Sequence, residues 1–308
     1  MTSAGGSNNA GTIFDFNSSN STEGPLYSFG TNADDGGGPS GSLILVGSTL
    51  YGLTGGGSDD AGVIIAYSTS TLTESVLHSF TRGPSDGAFP PGSLIQSGTT
   101  LYGMTSQGGS GGILAGGGYG TIFAYSILDQ TEIPLYSFVG GTTDGARPDG
   151  SLLQSGSALY GTTSSGGVNG DGTIFEYNTL TGIESVIYSF GSIANDGTNP
   201  RGSLILVGDT LYGTTDDGGG SLNDGTIFGF DLSTDTEAVL HSFQSSDGAN
   251  PQGDLLAIGN TLYGLAANGG THGDGVIFSV TVPEPATLTL LAGTGLVLVV
   301  RRPRQSAA

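Results

Sequence analysis

Apolar positions in this chain come in short bursts of β-branched and aromatic residues, and the bursts recur. Ser203-Leu204-Ile205-Leu206-Val207 is a continuous apolar run, the pattern expected of a strand buried on both faces. Gly208-Asp209 has the composition of a two-residue hairpin turn. Thr210 to Thr215 then reads as a second strand, and Thr226 to Phe230 as a third after a loop rich in glycine and aspartate. A turn around Ser233-Thr234-Asp235 leads to a fourth, Ala238 to Phe243. No helical periodicity precedes residue 286.

This four-strand unit repeats. Gly-(Thr/Val)-Ile-(Phe/Ile) and its following apolar residues start at Gly11, Gly62, Gly120, Gly172, Gly225 and Gly275, a period near 50. Leu-Tyr-Gly recurs at Leu50, Leu101, Leu159, Leu211 and Leu262. The fourth strand ends in Tyr/His-Ser-Phe at Phe29, Phe80, Phe138, Phe190 and Phe243. Asp-Gly-x-x-Pro begins at Asp35, Asp86, Asp144, Asp196 and Asp247. An array of equal supersecondary units, none able to bury its apolar surface alone, follows from such a period. Four up-and-down antiparallel strands per unit predict an all-β β-propeller of about five blades. The blades are expected near residues 42–80, 93–138, 151–190 and 203–243, with a fifth joining 254–280 to 11–29 as a clasp of both ends. A β-helix is the rival, because Gly-Gly-x-x-x-Asp-Gly is similar to solenoid repeats, but those have periods of roughly nine residues.

Composition narrows the function. Of 308 residues 59 are glycine, and cysteine, tryptophan and lysine are absent. Glycine without a Gly-X-Y period excludes collagen. The formal net charge is -21, and three of the six arginines, Arg301, Arg302 and Arg304, crowd the last eight positions. So acidic a body repels phosphate backbones and excludes nucleic acid as a partner. Without cysteine there are no disulfides, which fits any compartment.

The order of motifs resembles the kelch blade in layout, without its double glycine and tryptophan. It is more similar to the tandem repeat called GloVer, found in bacterial secreted proteins whose anchor varies. That pattern is visible at Gly172, at Ile187-Tyr188-Ser189-Phe190, from Asp196 to Pro200 and from Leu211 to Thr215, and the resemblance spans roughly residues 1–280. It implies export but no particular activity. After residue 280 the chain resembles a PEP-CTERM sorting signal: Pro283-Glu284-Pro285, an apolar stretch over 286–300, then Arg301, Arg302 and Arg304. An apolar helix of 15 residues measures about 22 Å, short against the roughly 30 Å hydrocarbon core, and arginine reach narrows the gap. The arginines would hold the end of the chain in the cytoplasm. By resemblance, an exosortase-type protease cuts near Pro283 to Pro285 and leaves the body, residues 1–280, at the cell surface or outside. An ordinary tail anchor is the alternative. Met1 to Gly6 lines up with Met104 to Gly109, within a second strand, so an upstream start carrying a signal peptide is expected.

Candidate chemistry is sparse. In an up-and-down blade the aspartates Asp35, Asp86, Asp144, Asp171, Asp196 and Asp247 gather on one face. Carboxylates and loop carbonyls there suit a divalent cation, most plausibly Ca2+; tight-turn chemistry accounts for the same residues. His78 and His241 stand where Tyr27, Tyr136 and Tyr188 stand elsewhere, so they read as packing substitutes, with metal ligation the outside alternative. Tyr51, Tyr102, Tyr160, Tyr212 and Tyr263 read as packing between blades, with sugar stacking the alternative. The glycine after each is expected to let the neighbouring sheet approach closely. The interval from Tyr102 to Gly120 is 18 positions against 11 to 13 elsewhere, and its extra residues put Ile113, Leu114 and Tyr119 in a candidate ligand loop. No nucleophile elbow is present, no phosphate-cradling loop is possible without lysine, and no unique carboxylate pair stands out. The expectation is a non-enzymatic surface or matrix propeller that binds extracellular polysaccharide or surface proteins, with a glycan-binding or glycan-cleaving propeller as the alternative.

Overall fold

The computed structural model describes residues 1–32, 34–111 and 117–282. Among the described residues every regular element is a strand. The strands fall in two compact units, Met1–Val139 and a second that begins at Gly140. The apolar segment 286–300 and Pro283, Glu284, Pro285, Arg301, Arg302 and Arg304 lie outside the described residues. Among those described, no helix is long and apolar enough to cross a membrane.

The first unit holds an antiparallel hairpin, Thr12–Asn17 with Thr22–Ser28, and two four-stranded sheets. One runs Gly37–Val46, Thr49–Gly55, Val63–Ser68, Thr73–Ser79; the other runs Ile95–Ser97, Thr100–Thr105, Thr121–Ser126, Thr131–Ser137. The second unit repeats the plan with Gly145–Ser155, Ala158–Gly166, Thr173–Asn178 and Ile183–Ser189. Its next sheet splits the leading strand into Gly197–Pro200 and Ile205–Val207, both paired to Thr210–Gly218, followed by Thr226–Asp231 and Thr236–Ser242. Leu256–Ile258, Thr261–Ala266 and Val276–Thr281 form a three-stranded sheet. In each four-strand sheet neighbours in sequence are neighbours in space, and every pairing is antiparallel. The two-residue turn at Gly208-Asp209 sets Val207 opposite Thr210, as its composition dictates.

Three repeated motifs turn out to be parts of one contact. The phenylalanine that ends a fourth strand packs on the phenylalanine of the next sheet's third strand: Phe190 on Phe228 at 5.0 Å, Phe243 on Phe278 at 5.0 Å, Phe80 on Phe123 at 5.3 Å. That second ring ends over the glycine of Leu-Tyr-Gly, which faces it across the register, as Gly213 faces Phe228 and Gly161 faces Phe175. A Cβ on Gly213 would lie 2.6 Å from Phe228 Cζ, and one on Gly161 2.5 Å from Phe175 Cζ. The glycine therefore makes room for a ring of its own sheet, not for a neighbouring sheet, which corrects the sequence-based expectation. Tyr51, Tyr160 and Tyr212 are buried and pack among residues of the following sheet, Leu94 and Phe123, Leu204 and Phe228, and Leu255 and Phe278.

The apolar run at the start of each unit is also corrected. Ile205–Val207 is half-buried, and Leu45, Leu256 and Ile258 in matching strands are exposed. These are edge strands. Their continuous apolar pattern records one buried anchor, Leu94, Leu152, Leu204 or Leu255, preceding the strand proper or lying within it. Hydroxyl pairs fasten the opposite ends of the second and third strands: Thr105 to Thr121 at 2.8 Å, Thr163 to Thr173 at 2.7 Å and Thr215 to Thr226 at 2.8 Å. Thr2 and Thr12 make the same pair at 2.9 Å across an isolated antiparallel bridge.

Candidate functional site

The Asp-Gly-x-x-Pro turns follow the Tyr/His-Ser-Phe strands, and four of their five aspartates point inward. Asp35, Asp86, Asp144 and Asp196 are buried. Asp35 accepts hydrogen bonds from the Tyr27 hydroxyl at 2.7 Å, from the Thr31 hydroxyl at 2.8 Å and from the amides of Gly30, Thr31 and Asn32. Asp86 accepts from the Thr81 amide and hydroxyl, both at 2.9 Å, and from the Gly87 amide at 2.7 Å. Asp196 accepts from Tyr188, Ser192 and Gly197, and Asp144 Oδ1 from the Gly145 amide. Asp247 accepts from the Gln244 amide. Asp171 joins two loops through its backbone, its carbonyl taking the Asn199 amide at 2.8 Å. Carboxylates filled by N–H and O–H donors fold the turn on themselves.

A glutamate from the next sheet completes three of these clusters. Glu74, Glu132 and Glu237 occupy the second position of their fourth strands and face Tyr27–Asp35, His78–Asp86 and Tyr188–Asp196 respectively. Burial pushes the Glu74 carboxyl up to about 7, with the Asp35 charge adding to it and the Tyr27 hydrogen bond opposing. Burial likewise raises Glu237 to about 8, reinforced by Asp196 and opposed by Tyr188. Glu132 rises to about 7 through burial, with His78 opposing and Asp86 adding. Burial raises the Tyr27 and Tyr188 phenols far above their ordinary value, so both stay neutral donors.

The histidines keep the tyrosines' packing. His78 meets Phe80 edge-on at 4.9 Å and His241 meets Phe243 at 4.9 Å, as Tyr188 meets Phe190 at 5.3 Å. Their electrostatics differ. For His78 burial pulls the pKa down, but the Asp86 hydrogen bond and the charges of Glu132 and Asp86 outweigh it, and the net shift is upward. For His241 burial wins over Asp247 and the net shift is downward.

One cluster departs from the repeat. The residue between proline and glycine in the turn is Ser40, Pro91, Asp149, Arg201 and Gln252 in successive units, and the residue after Thr-Thr in the second strand is Ser164 or Asp216 in the second unit. Arg201 Nε lies 3.4 Å from Asp216 Oδ2. Gln252 donates to Asp216 Oδ1 at 2.9 Å, and Asn199 donates to Asp216 at 3.4 Å and to Asp217 at 3.1 Å. Burial raises the Asp149 carboxyl, and Arg201, Ser164 and Arg147 oppose the shift. Arginine, two carboxylates and carboxamides brought together form a surface that can exchange hydrogen bonds with hydroxyl-rich ligands. Sequence reasoning missed this cluster because Asp216 reads as the start of a polar loop. Aligning the five units position by position finds it, since the residue between proline and glycine changes from unit to unit.

Of the candidate ligand loop, Ile113 and Leu114 lie outside the described residues. Tyr119 is half-buried beside Gly118, where the loop rejoins the third strand.

The chain belongs to the Gloeobacter/Verrucomicrobia repeat family, whose model matches residues 1–138 and again 114–296. No curated protein is matched. Among solved structures it is similar to an oligogalacturonate lyase in complex with manganese, at TM-score 0.58 and 11% identity, covering 90% of this chain and 73% of that one. A Vibrio parahaemolyticus oligogalacturonate lyase gives TM-score 0.58, 14% identity, and the same coverage of 90% and 73%. A chain of the nidogen–laminin complex gives TM-score 0.51 and 12% identity over 84% of this chain and 80% of that one. Identities this low speak to the fold alone: an all-β array of antiparallel sheets with propeller-like neighbours.

Proposed function

We propose that this chain is an exported, non-enzymatic β-propeller of about five blades that binds extracellular polysaccharide or surface proteins. The blades are those read from the sequence, including the ring closed by 254–280 with 11–29. The observation that carries the binding reading is the Asp149–Arg201–Asp216–Gln252 cluster, where repeats diverge in sequence and polar side chains converge. The rest of each repeat is occupied with holding sheets together, which suits a scaffold. Glycan-array and matrix-capture assays with the purified body are expected to show a ligand that Arg201→Ala weakens about tenfold or more, one or two hydrogen bonds to a charged group. Unchanged capture by a stably folded Arg201→Ala variant would sink the assignment of the cluster.

The second reading is a glycan-binding or glycan-cleaving propeller, with calcium in the aspartate turns. It is favoured by the pairing of a raised carboxyl, Asp149, with a second carboxylate, Asp216, in one cluster. Polysaccharide shortening that Asp149→Asn abolishes would support it, and loss of capture in a calcium chelator would support the calcium role.

Sorting by the Pro283-Glu284-Pro285 signal, with exosortase-type cleavage, belongs to the proposal. It rests on the order of that tripeptide, the apolar stretch and the terminal arginines. Replacing Arg301, Arg302 and Arg304 by glutamate is expected to reduce the mature body at the cell surface or in the medium several-fold; equal release from both strains would contradict it.

A further inference from the structure

We infer that His78, Asp86 and Glu132 form a site for one divalent transition-metal ion of the zinc class. Among the described residues they are the one group of three ligand-type side chains whose donor atoms lie within 4.8 Å of one another. His78 Nε2 is 3.2 Å from Asp86 Oδ1 and 3.8 Å from Glu132 Oε2. Donors around a tetrahedral ion, each about 2.0–2.2 Å from it, sit roughly 3.4 Å apart, so small side-chain rotations close the set.

The environment of Glu132 also calls for a cation. Its side chain is 4% exposed, and its Oε1 has no hydrogen-bond partner. An unpartnered oxygen buried this deeply, beside a second carboxylate, is a costly arrangement that a cation relieves. The side chain of His78 is 25% exposed and provides the way in from solvent. One imidazole nitrogen with two carboxylates is a borderline donor set, better suited to zinc than to calcium. On binding, Nε2 exchanges its contact with Asp86 for the ion, any proton it carries moves to Nδ1 or to water, and a proton on Glu132 passes to water. Three protein ligands leave one position open for water.

The other repeats supply internal controls. Glu74 and Glu237 also carry an oxygen without a partner, but Tyr27 and Tyr188 face them in place of the imidazole. Neutral phenols are poor ligands. His241 has Asp247 at 3.3 Å, and no third ligand group joins that pair among the described residues. Among the described residues only the second repeat thus brings imidazole, aspartate and glutamate together.

The test uses the full chain, titrated with Zn2+ by calorimetry and with Co2+ by visible absorption. Wild type is expected to take up one tight equivalent of Zn2+, to raise its unfolding temperature on loading, and to give a Co2+ d–d band. His78→Tyr restores the side chain that other repeats carry at this position, so it is expected to fold and to bind at least about thirtyfold more weakly. Glu132→Gln keeps the shape and is expected to lose the same equivalent; it serves if His78→Tyr folds poorly. His241→Tyr is expected to bind as wild type. No tight equivalent in wild type, or equal binding by both His78→Tyr and Glu132→Gln, overturns the site. So does loss of the equivalent in His241→Tyr alone.

Discussion

Raising the pH from 5 to 9 in the absence of metal is expected to lower the unfolding temperature by roughly 5–10 °C, an effect that follows from buried glutamates. Glu74 and Glu132 hold their protons up to about pH 7 and Glu237 up to about pH 8 in the folded chain, against an ordinary value of 4.5. A carboxyl that binds its proton more tightly when folded contributes stability that is full below pH 4.5. That contribution is lost as pH rises through 7 to 8. His78, raised by its carboxylate neighbours, acts in the same direction. Asp35 and Asp86 act oppositely. For both, burial raises the pKa but the hydrogen bonds they accept outweigh it, and the net shift is down. Their stability is present above pH 3.8 and lost on further acidification. His241, shifted down, also weakens the fold slightly on acidification. The maximum is therefore expected near pH 4–6. About 1 kcal/mol per glutamate, well under the full shift because the clusters are partly solvated, accounts for the size. Replacing Glu74, Glu132 and Glu237 by glutamine should flatten the dependence above pH 6. A profile unchanged by that triple replacement would show that other groups govern it.

The second large effect concerns Gly213. Gly213→Ala is expected to cost about 1–3 kcal/mol, because its Cβ would sit 2.6 Å from Phe228 Cζ in a packed interior. Phe228→Ala should cost about 3–5 kcal/mol by removing a fully buried ring that also receives Phe190. Phe228→Leu combined with Gly213→Ala should recover part of the alanine cost, since the shorter side chain withdraws from the new methyl. The first four-strand sheet hints at this, with Ile65 opposite Gly52. Chemical denaturation of Gly213→Ala, Phe228→Leu alone and the double gives the coupling directly. Additive costs would mean that the glycine serves some purpose other than seating the ring.

Much of the fold was legible because each strand carries its own punctuation. Gly208-Asp209 and the loop rich in glycine and aspartate separate the strands, and the repeat multiplies every such signal. Misreadings arose where one pattern has two physical causes. Ser203 to Val207 looks doubly buried, yet one leucine is buried and the remainder lies on an edge. The glycine after Leu-Tyr signals close approach, and the sequence does not say by what. Of the sites, the turn aspartates were visible and their inward direction was not. Glu74, Glu132 and Glu237 were overlooked, since an alternating polar residue on an outer strand reads as solvent-facing. Their burial depends on a tyrosine or histidine about fifty residues earlier, a relation that no local pattern carries.

The contact between successive sheets is directional, and that has a genetic consequence. Each repeat ends in a plug, the Tyr/His-Ser-Phe strand with its aspartate turn. In its full form each also contains a socket, the glutamate together with the phenylalanine over its glycine, as at Glu237, Phe228 and Gly213. Because plug and socket are encoded in the same stretch of about fifty codons, a crossover in register adds or deletes both together. Copy number can drift without any surface having to be re-matched. A single exchanged residue, such as histidine for tyrosine, can then specialise one copy while its siblings keep the array intact.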